Sequence, residues 1–287
     1  MDDELAHGTS SVWRSGRAGE GSGLEETRRA RGLVSSRASG RRIAAGRVAP
    51  PEDLAFAVEA LWWGAWDLRG ESPHETRLLG DPCVHVVFED DAESRVVGVW
   101  TRLWTRVLEG SGQVRGVKLR AGAVRTLFDV TASDLTNRIA PFGERSPDAD
   151  ELAGRVLAPP HPEAGLARLA DWLRGHLRDD PESRRAVTMV ERIQRGTFTR
   201  VEALAEATGT NVRALQRLFR RHVGAPPKAV IRRFRLQEAA ARVEHGEAPD
   251  LATLAWELGY ADQAHLARDF RAATGLTLRG FERGLDA

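Results

Sequence analysis

The sequence predicts an α+β chain: a small β-barrel-like N-terminal domain followed by an all-α domain with two helix-turn-helix units. Three observations predict it. Between Phe56 and Ile139, short apolar runs alternate with turn residues, the pattern of closely spaced strands. After Pro181 the apolar positions recur at helical spacing throughout. Twice in that second stretch a short helix, a glycine turn and a helix with one polar face follow one another, the helix-turn-helix layout.

In chain order, residues 1–49 come first. They are rich in Gly, Ser and Arg, lack a sustained apolar period and read as a disordered tail, bounded by Pro50-Pro51. A start codon placed too far upstream would leave the same signature. Residues 50–162 read as the β-rich domain, a sensor by its place, with strand-like runs at Cys83–Phe88, Val96–Leu103 and Val114–Leu119. Trp62, Trp63, Trp66, Trp100 and Trp104 fall within it; such residues line a ligand pocket or simply pack a β-core. Residues 163–181 form a linker. Leu166, Leu169, Leu173 and Leu177, with Trp172, set an amphipathic helix over 163–178 that pairs two subunits or packs on its own barrel.

Composition narrows the function classes. The 287 residues suit about two domains. No window offers the run of about 20 apolar residues that a membrane helix needs, and the N-terminus has no apolar leader segment. Cys83 is the single cysteine, which suits a reducing cytoplasm. Charge is uneven: residues 1–50 hold 9 Lys+Arg against 6 Asp+Glu, residues 51–181 hold 15 against 22, and residues 182–287 hold 18 against 13. A basic module beside an acidic one fits a polyanion-binding part next to one that avoids the polyanion. The chain has no P-loop, HExxH pair, GxSxG elbow or paired-carboxylate signature, so it reads as a non-enzyme without a cofactor.

The chemistry concentrates in residues 182–287. Thr199-Arg-Val-Glu202 has the spacing of a capping box and opens a short helix over Val201–Ala207. Gly209 supplies a left-handed turn and Asn211 a cap for the next helix, Val212–His222. Val212, Leu215, Leu218 and Phe219 make its inner stripe, and Arg213, Gln216, Arg217 and Arg220 its outer one. Arg and Gln carry the paired donors and acceptors that match guanine and adenine edges in the major groove. Arg220, a turn further along, is placed to meet phosphate. The arrangement recurs: Asp250 caps Leu251–Leu258, Gly259 turns, and Asp262 caps Gln263–Ala273. A connecting helix from about Pro227 to His245, roughly 27 Å long at 1.5 Å per residue, joins the units. Successive major-groove faces are about 34 Å apart.

These residues resemble the AraC/XylS family of bacterial regulators. The resemblance rests on Leu204-Ala205, Gly209, Leu215 to Phe219, Gly224, Pro227-Lys228, Arg235-Leu236, Leu254-Ala255, Gly259-Tyr260, Asp262-Gln263, His265-Leu266, Phe270, Gly275 and Phe281. It implies two recognition helices in adjacent major grooves, with base contacts on Arg213, Gln216 and Arg217 in the first and on Gln263, Ala264, His265 and Arg268 in the second. Ala264 offers only an apolar contact, such as to a thymine methyl. Leu278 and Ala225 replace the family's usual Pro and Ser, and Trp256 a usually small residue. The middle segment resembles an uncharacterised N-terminal domain that often precedes AraC-type regions. That likeness lies in His74-Glu75, Leu79 to Val84, Val87-Phe88, Gly98, Gly116 to Lys118, Gly122-Ala123 and Leu135 to Arg138.

The resulting expectation is a cytoplasmic, nucleoid-associated transcription factor that binds double-stranded DNA. RNA polymerase, a small-molecule effector and a second copy are the further partners it admits. The alternative is a DNA-binding protein whose N-terminal domain transfers alkyl groups through Cys83 or senses metal through His74, Cys83 and His85.

Overall fold

The structure, a computed structural model, describes residues 33–35, 43–196, 198–248 and 250–281. The β-branched and aromatic runs of the first half form β1 (Leu33–Ser35), β2 (Ile43–Val48), β3 (Val58–Asp67), β4 (His74–Leu79), β5 (His85–Glu89), β6 (Ala92–Val97), β7 (Leu103–Leu108), β8 (Ser111–Leu119) and β9 (Ile139–Pro141). All pairings are antiparallel. The strands make a six-stranded sheet in the order β2-β3-β8-β5-β6-β9 and a three-stranded sheet in the order β1-β4-β7. The barrel-like domain is thus two open sheets. Arg106 of β7 joins them, pairing with Glu89 of β5 and lying over the Trp66 ring of β3 at 5.5 Å.

Two faces follow from the period of 2 in a strand. Leu61, Val117 and Val86 share one register row, are at most 2% exposed, and look into the core. On the opposite face the Trp62 ring lies across Gly116, where a Cβ would stand 2.8 Å from Trp62 Cζ2.

Three sequence expectations change. Most of the tail 1–49 lies outside the described residues, but 43–48 are not disordered: they pair with β3 from Ile43↔Trp66 to Val48↔Leu61. Gly46 is there for packing, because a Cβ on it would run into the Trp63 ring. The run Val96–Leu103 is two strands in different sheets. It breaks at Gly98, whose backbone lies so close to Leu135 that a Cβ would overlap the Leu135 carbonyl oxygen. The β-rich segment also includes a helix, α2 (Ala149–Leu157), after the single turn α1 (Val124–Leu127).

Helix α3 (Pro162–His176) buries Leu166, Leu169, Leu173 and Trp172 in the cluster that also holds Leu61, Val86 and Val117. Its stripe therefore covers its own sheet and is not left for a second subunit. Between α2 and α3 the buried Arg115 closes helix ends. Its Nη1 donates to the Val156 carbonyl at 2.5 Å and its Nη2 to that of Pro159 at 2.6 Å.

The rest is helical: α4 (Pro181–Gln194), α5 (Val201–Ala207), α6 (Val212–Leu218) with a π-type turn at Phe219–Val223, α7 (Pro227–Glu244), α8 (Leu251–Glu257) and α9 (Gln263–Thr274). The apolar cluster of the sheet continues through Ala186, Met189 and Val190 of α4 to Leu215, Phe219 and, in α7, Val230 and Phe234. A second cluster joins Leu236, Ala239 and Val243 of α7 to Leu254, Leu266, Phe270 and Phe281; Leu79 of β4 enters it from the sheet.

Candidate nucleic-acid interface

Each unit opens on a short helix and turns on a glycine with positive φ, +61° at Gly209 and +73° at Gly259, where any side chain is strained. The second helix of each unit is then fixed by a polar cap. Asn211 Oδ1 accepts from the Ala214 N–H at 2.8 Å, and Asp262 Oδ1 from that of His265 at 2.6 Å. Asp250 caps α8 as expected, accepting from the Ala252 and Thr253 N–H groups at 2.8 Å each. The capping box at Thr199 does not form. The cap residue of α5 is Arg200, without a side-chain bond, so the Thr199 hydroxyl sits one residue too early. Thr199 instead places its methyl against Gly259, tying the entry of the first unit to the turn of the second.

The inner stripes are as the spacing predicts. Leu215 and Phe219 in the first unit, and Leu266 and Phe270 in the second, are at most 1% exposed. That leaves Arg213, Gln216, Arg217 and Arg220 exposed on α6 and its π-type turn, and Gln263, Ala264, His265 and Arg268 exposed on α9. Arg213, Arg217, Arg220 and Arg268 have no intramolecular ion pair among the described residues, so their guanidinium donors are available. Arg217 stands at the lip of a cleft of about 160 Å³ that Arg185 and Arg221 also line. His265 is partly held, its ring meeting Tyr260 edge-on at 5.1 Å.

Helix α7 fixes the two units relative to each other. Its 18 residues feed the first cluster through Val230, Ile231 and Phe234 and the second through Leu236, Ala239 and Val243. Arg232 pairs with Asp269 of α9 at 2.9 Å, Arg242 with Glu257 of α8 at 2.5 Å, and Arg235 stacks on Tyr260 at 3.7 Å. Burial pushes the Tyr260 hydroxyl up to about 12. Two of the departures from the family pattern fit locally: Ala225 and Leu278 are buried, and the turn after Thr277 is held because Thr277 Oγ1 accepts from the Gly280 N–H at 2.9 Å. Trp256 is 79% exposed, and nothing in the structure accounts for it.

The middle region contains a buried polar cluster that sequence reasoning missed. Lys118 Nζ bonds Glu59 Oε1 at 2.8 Å and also Asp81. Burial opposes the charge on both Lys118 and Asp81; their mutual attraction prevails, raising the lysine and lowering the carboxyl. Arg233, nearly buried on α7, also acts on Asp81, and burial pulls Arg233 down to about 10. The signal was present in polar Glu59 and Lys118 within apolar strands, but only the β3–β8 register brings those two together, and the loop after β4 adds Asp81.

Cys83 lies beside this cluster, 2% exposed. Burial first, then the nearby Asp81, pushes its thiol well above the usual range, and it donates to Glu59 Oε2 at 3.6 Å. A protonated, enclosed thiol is a poor nucleophile and a poor metal ligand. Among the described residues, no three His, Cys, Asp or Glu side chains converge to hold a metal ion.

Residues 204–284 match the family model "Helix-turn-helix domain", and residues 46–141 match a domain of unknown function (DUF6597). The matched C-terminal region holds the two helix-turn-helix units described above. It is 30% identical over 86 residues to the HTH-type transcriptional activator RhaS of Escherichia fergusonii, covering 30% of this chain and 31% of the relative. The chain thus spans about a third of that relative's length. Among solved structures, ToxT from Vibrio cholerae aligns over 75% of this chain and 99% of its own, at 10% identity and a TM-score of 0.39. The AraC-like transcriptional activator CuxR aligns over 70% and 96%, at 16% identity and a TM-score of 0.22.

Proposed function

We propose that the protein is a sequence-specific transcription factor. It inserts α6 and α9 into successive major grooves of double-stranded DNA, and its middle region adjusts that binding. One observation carries the reading: two capped helices present unpaired Arg, Gln and His side chains outward and are held on a single connector packed into both cores. Arg213, Gln216 and Arg217 read one half-site, and Gln263, Ala264, His265 and Arg268 the other; Arg220 meets phosphate. The connector's length of roughly 27 Å is compatible with heads one helical turn apart. The RhaS relative is a transcriptional activator, which supports RNA polymerase as a second partner, and the place of action is then the cytoplasm, on the nucleoid.

The test is selection of binding fragments from random duplex DNA by the full chain. The expected product is a sequence with two conserved blocks about 10 base pairs apart, centre to centre. Retention of DNA without any enriched sequence would overturn the reading in favour of non-specific phosphate binding.

A further inference from the structure

Beside α1, where the end of α3 meets the start of α4, an open groove of about 500 Å³ is the size of a small-molecule site. Phe128, Phe142 and Trp172, each at most 7% exposed, form its floor in edge-to-face contacts of 6.3 and 5.7 Å. Its carboxylates already have partners. Asp129 pairs with Arg125 at 3.0 Å, Asp179 with Arg184, and Asp180 accepts from Ser183 Oγ at 2.7 Å. Two cationic side chains are not spent. The Arg145 Nε is buried without a hydrogen-bond partner, its Nη1 reaching only the exposed Glu144 at 3.2 Å. The Arg178 side chain has no ion pair among the described residues. An aromatic floor under two available guanidinium groups complements a carboxylate on a flat apolar body, because the guanidinium fork matches a carboxylate and a buried N–H is costly unpaired.

The groove wall also touches the DNA-reading machinery. Asp180 caps α4, accepting from the Glu182 N–H at 3.3 Å. Ser183 gives its hydroxyl proton to Asp180 and so accepts from His222 Nδ1, 3.1 Å away. His222, fully enclosed, sits in the π-type turn that ends the first reading helix, its Nε2 3.5 Å from Glu182. We propose that the groove binds a small aromatic carboxylate, and that its occupancy reaches the first reading helix through Asp180, Ser183 and His222. The link rests on the DNA-binding reading above; the groove itself does not. Coupling of this kind alters affinity by about 5- to 150-fold. It falls on the half-site read by α6, since among the described residues no hydrogen-bonded path links α9 to the groove.

The experiment uses the full chain with phenylacetate and indole-3-acetate as probes and indole-3-ethanol as the uncharged control. Calorimetry should show saturable binding of a carboxylate at or below the millimolar range, about tenfold or more weaker for the alcohol. Arg145→Gln and Arg178→Gln should each weaken it similarly; Arg178 is exposed, so that variant folds even if the other does not. Ser183→Ala should still bind the probe but lose the probe's effect on affinity for the selected DNA. Failure of both carboxylates to bind, or binding indifferent to both arginine substitutions, overturns the site. Binding that leaves DNA affinity unchanged overturns the link. A chain that selects no DNA sequence overturns the regulator reading, while calorimetry still decides the groove.

Discussion

Phe219, at the end of the first reading helix, belongs to the same apolar cluster as Leu61 and Val117 of the sheet. Phe270, its counterpart in the second, packs against Phe281 in a smaller cluster that, among the described residues, the three-stranded sheet enters through Leu79 and the partly buried Leu103. Two polar contacts reinforce the first attachment: Thr136 Oγ1, in the loop ahead of β9, donates to the Gly224 carbonyl at 2.6 Å, and Arg120, just after β8, pairs with Glu191 of α4 at 2.5 Å. Two units built to one plan are therefore supported differently. The first shares its core with the middle region, so a change in that region reaches it directly. The second is positioned through α7 and follows at one remove.

The most forceful way to break this comparison is to empty the two cores in turn. Phe219 and Phe270 are both fully buried, and replacing either by Ala should cost about 3–5 kcal/mol. The losses should differ in extent. Phe219→Ala should lower protection against hydrogen exchange in β3, β8, α4 and α6 together, whereas Phe270→Ala should expose α8 and α9 and leave the sheet protected. Equal patterns from the two variants would mean the clusters are not separate.

Lys118 tests the comparison from the sheet side. Lys118→Met leaves Asp81 and Glu59 facing each other in a buried site, a loss of about 3 kcal/mol. Denaturant unfolding should show it, with the first unit melting alongside the sheet. Arg233→Met, which removes a buried cation with an unbonded Nη2, should cost much less or nothing.

Acid should separate the two units by a smaller margin. Burial holds His85 down at about 3 and keeps His222 below its usual value, with Asp180 and Glu182 opposing the shift in His222. Both histidines take a proton more readily in the unfolded chain. Their contribution is thus complete above an unfolded pKa of about 6.5 and is lost as pH falls below it, down to about 3 for His85, by at most about 1.4 kcal/mol per unit for each. Asp81 and Asp180, held low by their partners, add losses below about pH 4. His265 of the second unit is exposed. Exchange measured between pH 7 and pH 4 should therefore show the sheet and first unit weakening before α8 and α9; the reverse order would place the buried histidines wrongly.

The smallest effects concern the caps. Asn211→Ala and Asp262→Ala should each cost about 1 kcal/mol and fray only the start of its own reading helix. If Asn211→Ala alone also loosens the sheet, the coupling across the first core is tighter still.

Much of the helical region was legible because its signals are local. Gly209 and Gly259 demand left-handed turns, Asn211, Asp250 and Asp262 cap within three residues, and Leu215, Phe219, Leu266 and Phe270 repeat with the helix. The capping box failed for a reason of the same scale, a helix that begins one residue after the spacing implied. The sheet region was legible in kind, not in pairing. Nothing local to Gly98 announces the close approach of Leu135, and the Glu59–Lys118 bond depends on a register 59 residues apart. The groove beside Arg145 and Trp172 was invisible for the same reason: its walls come from three separate segments, within 125–129, 142–146 and 172–180.

The most direct test of the central claim is a footprint of the full chain on its selected site, repeated with Arg217→Ala and His265→Ala. Two protected blocks one helical turn apart are expected, with Arg217→Ala relaxing preference at one position of one block by about 1–3 kcal/mol, and His265→Ala weakening only the other. A single protected block, or equal losses on every sequence from both substitutions, would contradict reading by two helices.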